Sequence, residues 1–207
     1  MKRLFALCCF SFISSTVFSQ DTTTVAVIHK HHDNVLTLTA GIGDWQKQNY
    51  KQPDSTAFGS SAGFAPITIK FEHFFSNSIS ASVNLSYDWF YYSYSKKGYT
   101  NGVLFYRPQT DKVHIISPGI QVYYHFCKLL PAKWDPFIGL GITGNYVYHS
   151  NYPKTDSTIG PVQAQITPTV RLGVRYYFSP QISAYLDAGY DKTSIMNIGF
   201  SYRFTRK

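Results

Sequence analysis

Glutamate occurs once in these 207 residues, at Glu72, and beyond the N-terminal segment cysteine also occurs once, at Cys127. A single thiol excludes an intramolecular disulfide, so stability has to come from sheet closure and packing. No stretch of about eighteen apolar residues follows the N-terminal segment, which excludes a membrane-spanning helix. No run of Lys and Arg exceeds two, so the basic residues form no patch of the kind that binds nucleic acid. Phosphate-loop, zinc-tetrad and dinucleotide motifs are missing too, and no cofactor is expected. What the chain has in quantity is tyrosine (17) and phenylalanine (16), with glycine and serine plentiful. Aromatic residues favour strands and membrane interfaces.

At the N-terminus, Lys2 and Arg3 precede a largely apolar run from Leu4 to Phe18, with a cleavage point after Val17-Phe18-Ser19. Residues 1–19 therefore read as a secretory signal. Cys8 and Cys9 lie inside it, and Phe5-Ala6-Leu7 lacks the small residue that a lipoprotein cut requires. Without Lys2 and Arg3, 17 basic residues stand against 11 acidic ones, a net of +6. Residues 20–33 read as a flexible arm. Its His29, Lys30, His31, His32 and Asp33 have the spacing of a chelating cluster, but a loosely held polar terminus is the plainer reading, and no metal is expected.

From residue 34 onward, eight runs each keep one apolar face, because side chains alternate across a strand with period two. In 34–44, Leu36, Leu38, Ala40 and Ile42 oppose Thr37, Thr39, Gly41 and Gly43; in 65–73, Ile67, Ile69 and Phe71 oppose Thr68, Lys70 and Glu72. The cleanest alternation, 79–91, sets Ile79, Ala81, Val83, Leu85, Tyr87 and Trp89 against Ser80, Ser82, Asn84, Ser86 and Asp88. Further runs cover 113–126, with an irregularity expected at Pro118, then 137–148, then a sixth that starts irregularly at Pro168 and ends at Tyr176. The last two are 182–190 and 197–204. The connections 45–64 and 92–112 are long and polar, 149–161 is intermediate and only 191–194 is short, whereas 74–78, 127–136 and 179–181 are short or moderate. That rhythm matches surface loops at one end of a barrel and tight turns at the other.

About ten residues at roughly 3.3 Å each, tilted by about 45°, span close to the roughly 25 Å apolar band of an outer membrane. Aromatic residues gather where strands would cross its boundaries: Trp89, Tyr91, Tyr146, Tyr148 and Tyr190 toward the loops, and Phe71, Phe126, Tyr176, Phe178, Tyr202 and Phe204 toward the turns. A soluble barrel of lipocalin type has the same strand count with the apolar face inside. The two girdles and the small polar side chains of the other face favour an all-β, eight-stranded antiparallel up-and-down transmembrane β-barrel over residues 34–204, with 205–207 as a tail.

In the closing strand, Asn197, Gly199, Tyr202 and Phe204 fall on the positions of the outer-membrane assembly signal, although Thr205-Arg206-Lys207 follow the final aromatic. With the glycine-spaced strand Pro136-Phe137-Ile138-Gly139-Leu140-Gly141, the chain resembles the outer-membrane beta-barrel domain family, small barrels akin to OmpA, OmpX and OmpW. The resemblance implies that fold, a place in the cell outer membrane, contact with its lipid and lipopolysaccharide, and insertion by the barrel assembly machinery. It implies no particular activity.

Inward charges are the strongest constellation: Lys70, Arg171, Arg175 and Arg203 with Glu72, Asp88 and Asp187. In an eight-stranded barrel they are expected to pair and plug the lumen. His149-Ser150-Asn151 invites an esterase reading, but neighbouring strand residues point to opposite faces, and no enzyme is expected. Two roles stay open. One is a structural or surface-interaction role through the long loops. The other is a conduit for small apolar solutes of OmpW type, its mouth lined by Val103, Leu104, Phe105 and Tyr106.

Overall fold

The structure, a computed structural model, describes residues 32–43, 60–100, 103–126, 133–152 and 163–204. The signal segment 1–19, most of the 20–33 arm, Cys127 and the 205–207 tail lie outside them. The strands are β1 (Asn34–Ile42), β2 (Ser60–Gly63), β3 (Ile67–Phe74), β4 (Ile79–Thr100), β5 (Val103–His125), β6 (Trp134–Tyr152), β7 (Gln163–Tyr177), β8 (Ile182–Tyr190) and β9 (Met196–Phe204). Every pairing is antiparallel, and the order β4-β3-β1-β9-β8-β7-β6-β5 closes on itself through β4 and β5. Because β2 and β3 both lie against β4, they are two pieces of one wall strand, and the barrel has eight staves. Closure leaves the sheet without a free edge at membrane depth, where an unpaired backbone group has no water to bond.

Parity is as the alternation predicts. Leu38, Ile69, Val83, Ile120, Leu140, Leu172 and Phe200 are exposed on the outside, whereas Thr37, Lys70, Ser82, Gln121, Thr143, Arg171 and Ser201 are buried within. Both aromatic girdles face outward, with edge-to-face contacts between Tyr124 and Phe126, Tyr176 and Phe178, and Tyr202 and Phe204 at the turn end. Two turns there repeat one local sequence, Phe75-Ser76-Asn77-Ser78-Ile79 and Phe178-Ser179-Pro180-Gln181-Ile182. In each, the serine Oγ accepts the amide N–H of the isoleucine three residues on, at 3.0 Å, and the phenylalanine N–H reaches the isoleucine carbonyl, at 3.0 Å.

Several boundaries differ from the sequence reading. Residues 92–112, expected as a long loop, are mostly strand: β4 and β5 run on as a hairpin paired from Ile79↔Tyr124 to Thr100↔Val103. Their apolar period stops near Tyr91 because beyond the membrane water reaches both faces of the ribbon, as along 103–108, where every residue is exposed. Val103, Leu104, Phe105 and Tyr106 therefore stand on an exposed ribbon rather than at a barrel mouth. β6 reaches Tyr152, into the connection expected at 149–161. Pro168 does not interrupt β7, which keeps one register from Trp134↔Tyr176 to Val147↔Gln163. The irregularity expected at Pro118 is present as a gap: the β5–β6 ladder breaks between Ile116↔Tyr146 and Gly119↔Thr143 without slipping register. Ser117 Oγ donates to Asn145 Oδ1 across it at 2.8 Å. The arm ends earlier than expected, since the His32 amide donates to the Phe74 carbonyl and the Phe74 amide to that of Asp33, each at 2.9 Å.

Candidate functional site

The interior is a chain of ion pairs that crosses the barrel from the turn end to the loop end. At the turn end, Arg175 donates to Asp135 Oδ2 at 3.2 Å through Nη1 and to Glu72 Oε2 through Nη2. His125 lies between the same two carboxylates, 3.0 Å from Glu72 and 2.8 Å from Asp135, and Ser80 Oγ donates to Glu72 at 2.6 Å. Next inward, Lys70 sits 3.9 Å from Glu72, donates to Tyr185 Oη at 2.7 Å and to Tyr123 Oη at 3.3 Å, and lies over both rings. Tyr185 Oη in turn donates to Asp187 Oδ2 at 2.5 Å. Asp187 then accepts from Arg171 Nη1 at 3.2 Å and from Asn197 Nδ2 at 2.9 Å.

At the loop end, Arg171 reaches Asp191, whose other oxygen accepts the amides of Thr193 and Ser194 and so fixes the 191–194 turn. One aspartate thus shapes a turn and terminates the ion-pair chain. A polar cavity of about 20 Å³ remains beside Lys70, Tyr123 and Arg171, room for roughly one water. Toward the taller side of the wall the lumen is filled differently, by Phe90, Tyr92, Val113 and Ile115, all buried.

Of the seven expected lumen residues, Lys70, Glu72, Arg171, Arg175 and Asp187 are brought together. Arg203 sits apart at the turn end, 3.9 Å from Asp33 and over the Tyr177 ring. Asp88 is buried on β4 nearer the loop end, across from Ile115. Asp135 and Asp191 are not among the expected lumen charges because each lies just outside a strand's apolar period, and Asp33 is read in the sequence as part of the arm. The period-two phase of 113–126 and 182–190 puts Tyr123, His125 and Tyr185 on the inward face, but none of them counts as a full formal charge. Carrying the period-two phase one step past Phe137 would have found Asp135, since 135, 137 and 139 share a face.

The closing strand is placed as its pattern suggests. Asn197 is buried and accepts from Ser194 Oγ at 2.7 Å, while Tyr202 and Phe204 face outward. Gly199 lies against β1 so closely that a Cβ there would stand 2.0 Å from the Leu38 carbonyl oxygen. Among the described residues no group of three or more His, Cys, Asp or Glu is arranged to hold a metal; His29 and His31 lie outside them.

Paired charge inside and exposed hydrocarbon outside is the inverse of a soluble domain, and only a lipid surround makes it stable. The fold is similar to that of OprG from Pseudomonas aeruginosa, with a TM-score of 0.54 at 13% identity over 86% of this chain and 98% of that one. The chain folds as a transmembrane β-barrel. Other solved structures that it matches are the N-terminal barrel domain of Pseudomonas aeruginosa OprF (15% identity, 85% and 100% covered, TM-score 0.47) and Ail, the attachment invasion locus protein of Yersinia pestis (9%, 84% and 99%, TM-score 0.45). No family model matches the sequence, and no curated protein matches it significantly.

Proposed function

We propose that this protein is a closed, non-enzymatic barrel that acts at the cell surface through its β4–β5 hairpin. One observation carries the reading: among the described residues the neighbouring staves end while the hairpin continues. The last β2–β4 pair is Ser60↔Ser93 and the outermost β5–β6 pair is Thr110↔Tyr152, so 94–100 and 103–109 run on as a two-stranded ribbon. Seven residues at about 3.3 Å each carry it roughly 23 Å beyond its described neighbours. No described strand pairs with its outer edges, and Val103, Leu104, Phe105 and Tyr106 are exposed on it. An exposed, apolar edge of this kind is a template on which an extended segment of another protein adds as a strand.

The filled interior supports a role that needs no pore. Every ion in the Arg175 to Asp191 chain has a partner, and the Phe90 cluster closes the taller side, which weighs against an apolar-solute conduit. His149 and Ser150 are consecutive in β6, a placement that gives no support to a hydrolytic pair. A photo-cross-linking residue at position 103 or 105, expressed on cells, tests the hairpin. Adducts with an external or envelope protein are expected there and not at position 140 on the lipid-facing wall. No adduct at either hairpin position would sink the reading. In planar bilayers no steady conductance is expected, and porin-sized steps would refute the closed lumen.

A further inference from the structure

His73 follows Phe71 on the outward face of β3, at the turn end of the wall, and its ladder partner is Asn34, the first residue of β1. Their side chains meet as well, with His73 Nδ1 2.8 Å from Asn34 Oδ1. An amide oxygen only accepts, so Nδ1 carries the proton and the lone pair of His73 sits on Nε2. Phe75 packs edge to face against the ring at 5.1 Å and limits its swing. A histidine oriented through one nitrogen, with its lone pair on the other, is how proteins present imidazole to a metal ion.

A second imidazole lies beside it. Sequence spacing groups His32 with His29 and His31 in the arm, but the fold pins it to β3: its amide donates to the Phe74 carbonyl, and the Phe74 amide donates to the Asp33 carbonyl, each at 2.9 Å. The sequence reading expects no metal because the arm is loosely held, and at His32 that reason lapses. His32 takes a left-handed backbone, φ 70°, a conformation that histidine enters more readily than most residues. Its ring centre stands 5.7 Å from that of His73, with 39° between the planes. Two imidazoles that share a tetrahedral ion, each nitrogen about 2.1 Å from it, have ring centres about 5–6 Å apart. His32 is exposed and His73 only partly buried, so an ion reaches the pair from water. Asp33, the nearest carboxylate in sequence, is buried toward Arg203 at 3.9 Å and is no ligand. The pair is therefore all nitrogen, which suits copper, zinc or nickel and not calcium or magnesium.

We propose that His32 and His73 bind one divalent transition-metal ion of this imidazole-seeking kind at the turn-end rim of the barrel, with water completing its coordination. His73 Nε2 is one ligand and a ring nitrogen of His32 the other. Bound there, the ion ties the segment that precedes β1 to β3, and so stabilises the folded start of the barrel beyond what the two backbone bonds at Phe74 supply. This inference is independent of any protein partner at the hairpin.

Copper(II) is the probe, because of the three it binds imidazole most tightly and its electron paramagnetic resonance counts the nitrogens bound. Titrated into the full chain folded in detergent, it should load one ion per barrel with two imidazole nitrogens in the spectrum. His73→Gln and His32→Gln should each weaken binding about tenfold and leave at most one imidazole in the signal. A His29→Gln, His31→Gln double variant should keep both the affinity and the count. Unchanged affinity in His73→Gln would overturn the proposal, as would a single imidazole in the unaltered protein. Loss of the two-imidazole signal in the double variant would overturn it too, since the arm and not this pair would then hold the ion. Folding of each variant is read from the gel shift on boiling. If His73→Gln does not fold, His32→Gln, which precedes the first strand, decides together with the count on the unaltered protein.

Discussion

Arg175→Met removes the cation that ties Glu72 to Asp135 while keeping a side chain of comparable reach. Arg175 and both carboxylates are fully buried. Breaking a buried pair by deleting one partner costs about 3–5 kcal/mol, since the other charge stays behind in a poorly solvating interior. The lower end applies here. Glu72 keeps Ser80, His125 and Lys70, and Asp135 keeps His125. A loss of about 3 kcal/mol is on the order of a hundredfold in the unfolding equilibrium, and at a slope of about 2 kcal/mol/M it lowers a urea midpoint by about 1.5 M. The assay is reversible urea unfolding in phospholipid vesicles, followed by tryptophan fluorescence and by gel migration with and without boiling. Adding Glu72→Gln to Arg175→Met should restore at least about 1 kcal/mol, because the stranded carboxylate goes with its partner. A midpoint within about 0.3 M of the unaltered protein, or losses that simply add in the double variant, would refute the reasoning.

Gly199→Ala should impair closure of the β1–β9 seam, because the added methyl meets backbone and not a yielding side chain; loss of the heat-dependent gel shift is the readout. Replacing 95–108 by a two-residue Asn-Gly turn should leave that shift intact, since no described barrel strand pairs with this part of the ribbon, and a lost shift would mean that it supports the barrel. Phe204→Ser should lower the amount of protein assembled in cells about tenfold while unaided refolding into detergent proceeds normally; equal loss in both settings would deny Asn197, Gly199, Tyr202 and Phe204 a role in recognition by the assembly machinery.

The wall of the barrel was legible because lipid on one side and a crowded lumen on the other impose opposite chemistry on alternate residues. Leu36, Leu38 and Ile42 against Thr37 and Thr39 is that rule in its plainest form. Where the rule lapses, so does legibility. Residues 94–100 and 103–109 keep their strand hydrogen bonds beyond the barrel wall, and along 103–108 water on both faces removes the alternation that announces a strand. The lumen was half legible for a related reason. Lys70, Glu72, Arg171, Arg175 and Asp187 stand out as charges on a polar face, whereas Tyr123 and Tyr185 bridge them with neutral hydroxyls. Asp135 and Asp191 look like ordinary residues of a connection. The Phe64-Pro66 break was hidden because Phe64 and Pro66 are equally at home in a loop.

Alternation also divides the kinds of change that the gene can tolerate. A substitution alters one surface, but a one-residue deletion inside β1 would rotate every later side chain of that strand through the wall, sending Leu38 into the lumen and Thr39 into lipid. Along 103–108, beyond Ser93 and Thr110, both faces are exposed, and matched insertions in the hairpin there lengthen it without turning anything inside out. Length variation between relatives should therefore collect at this hairpin, and the same property makes it the natural place to graft a foreign segment for display at the cell surface.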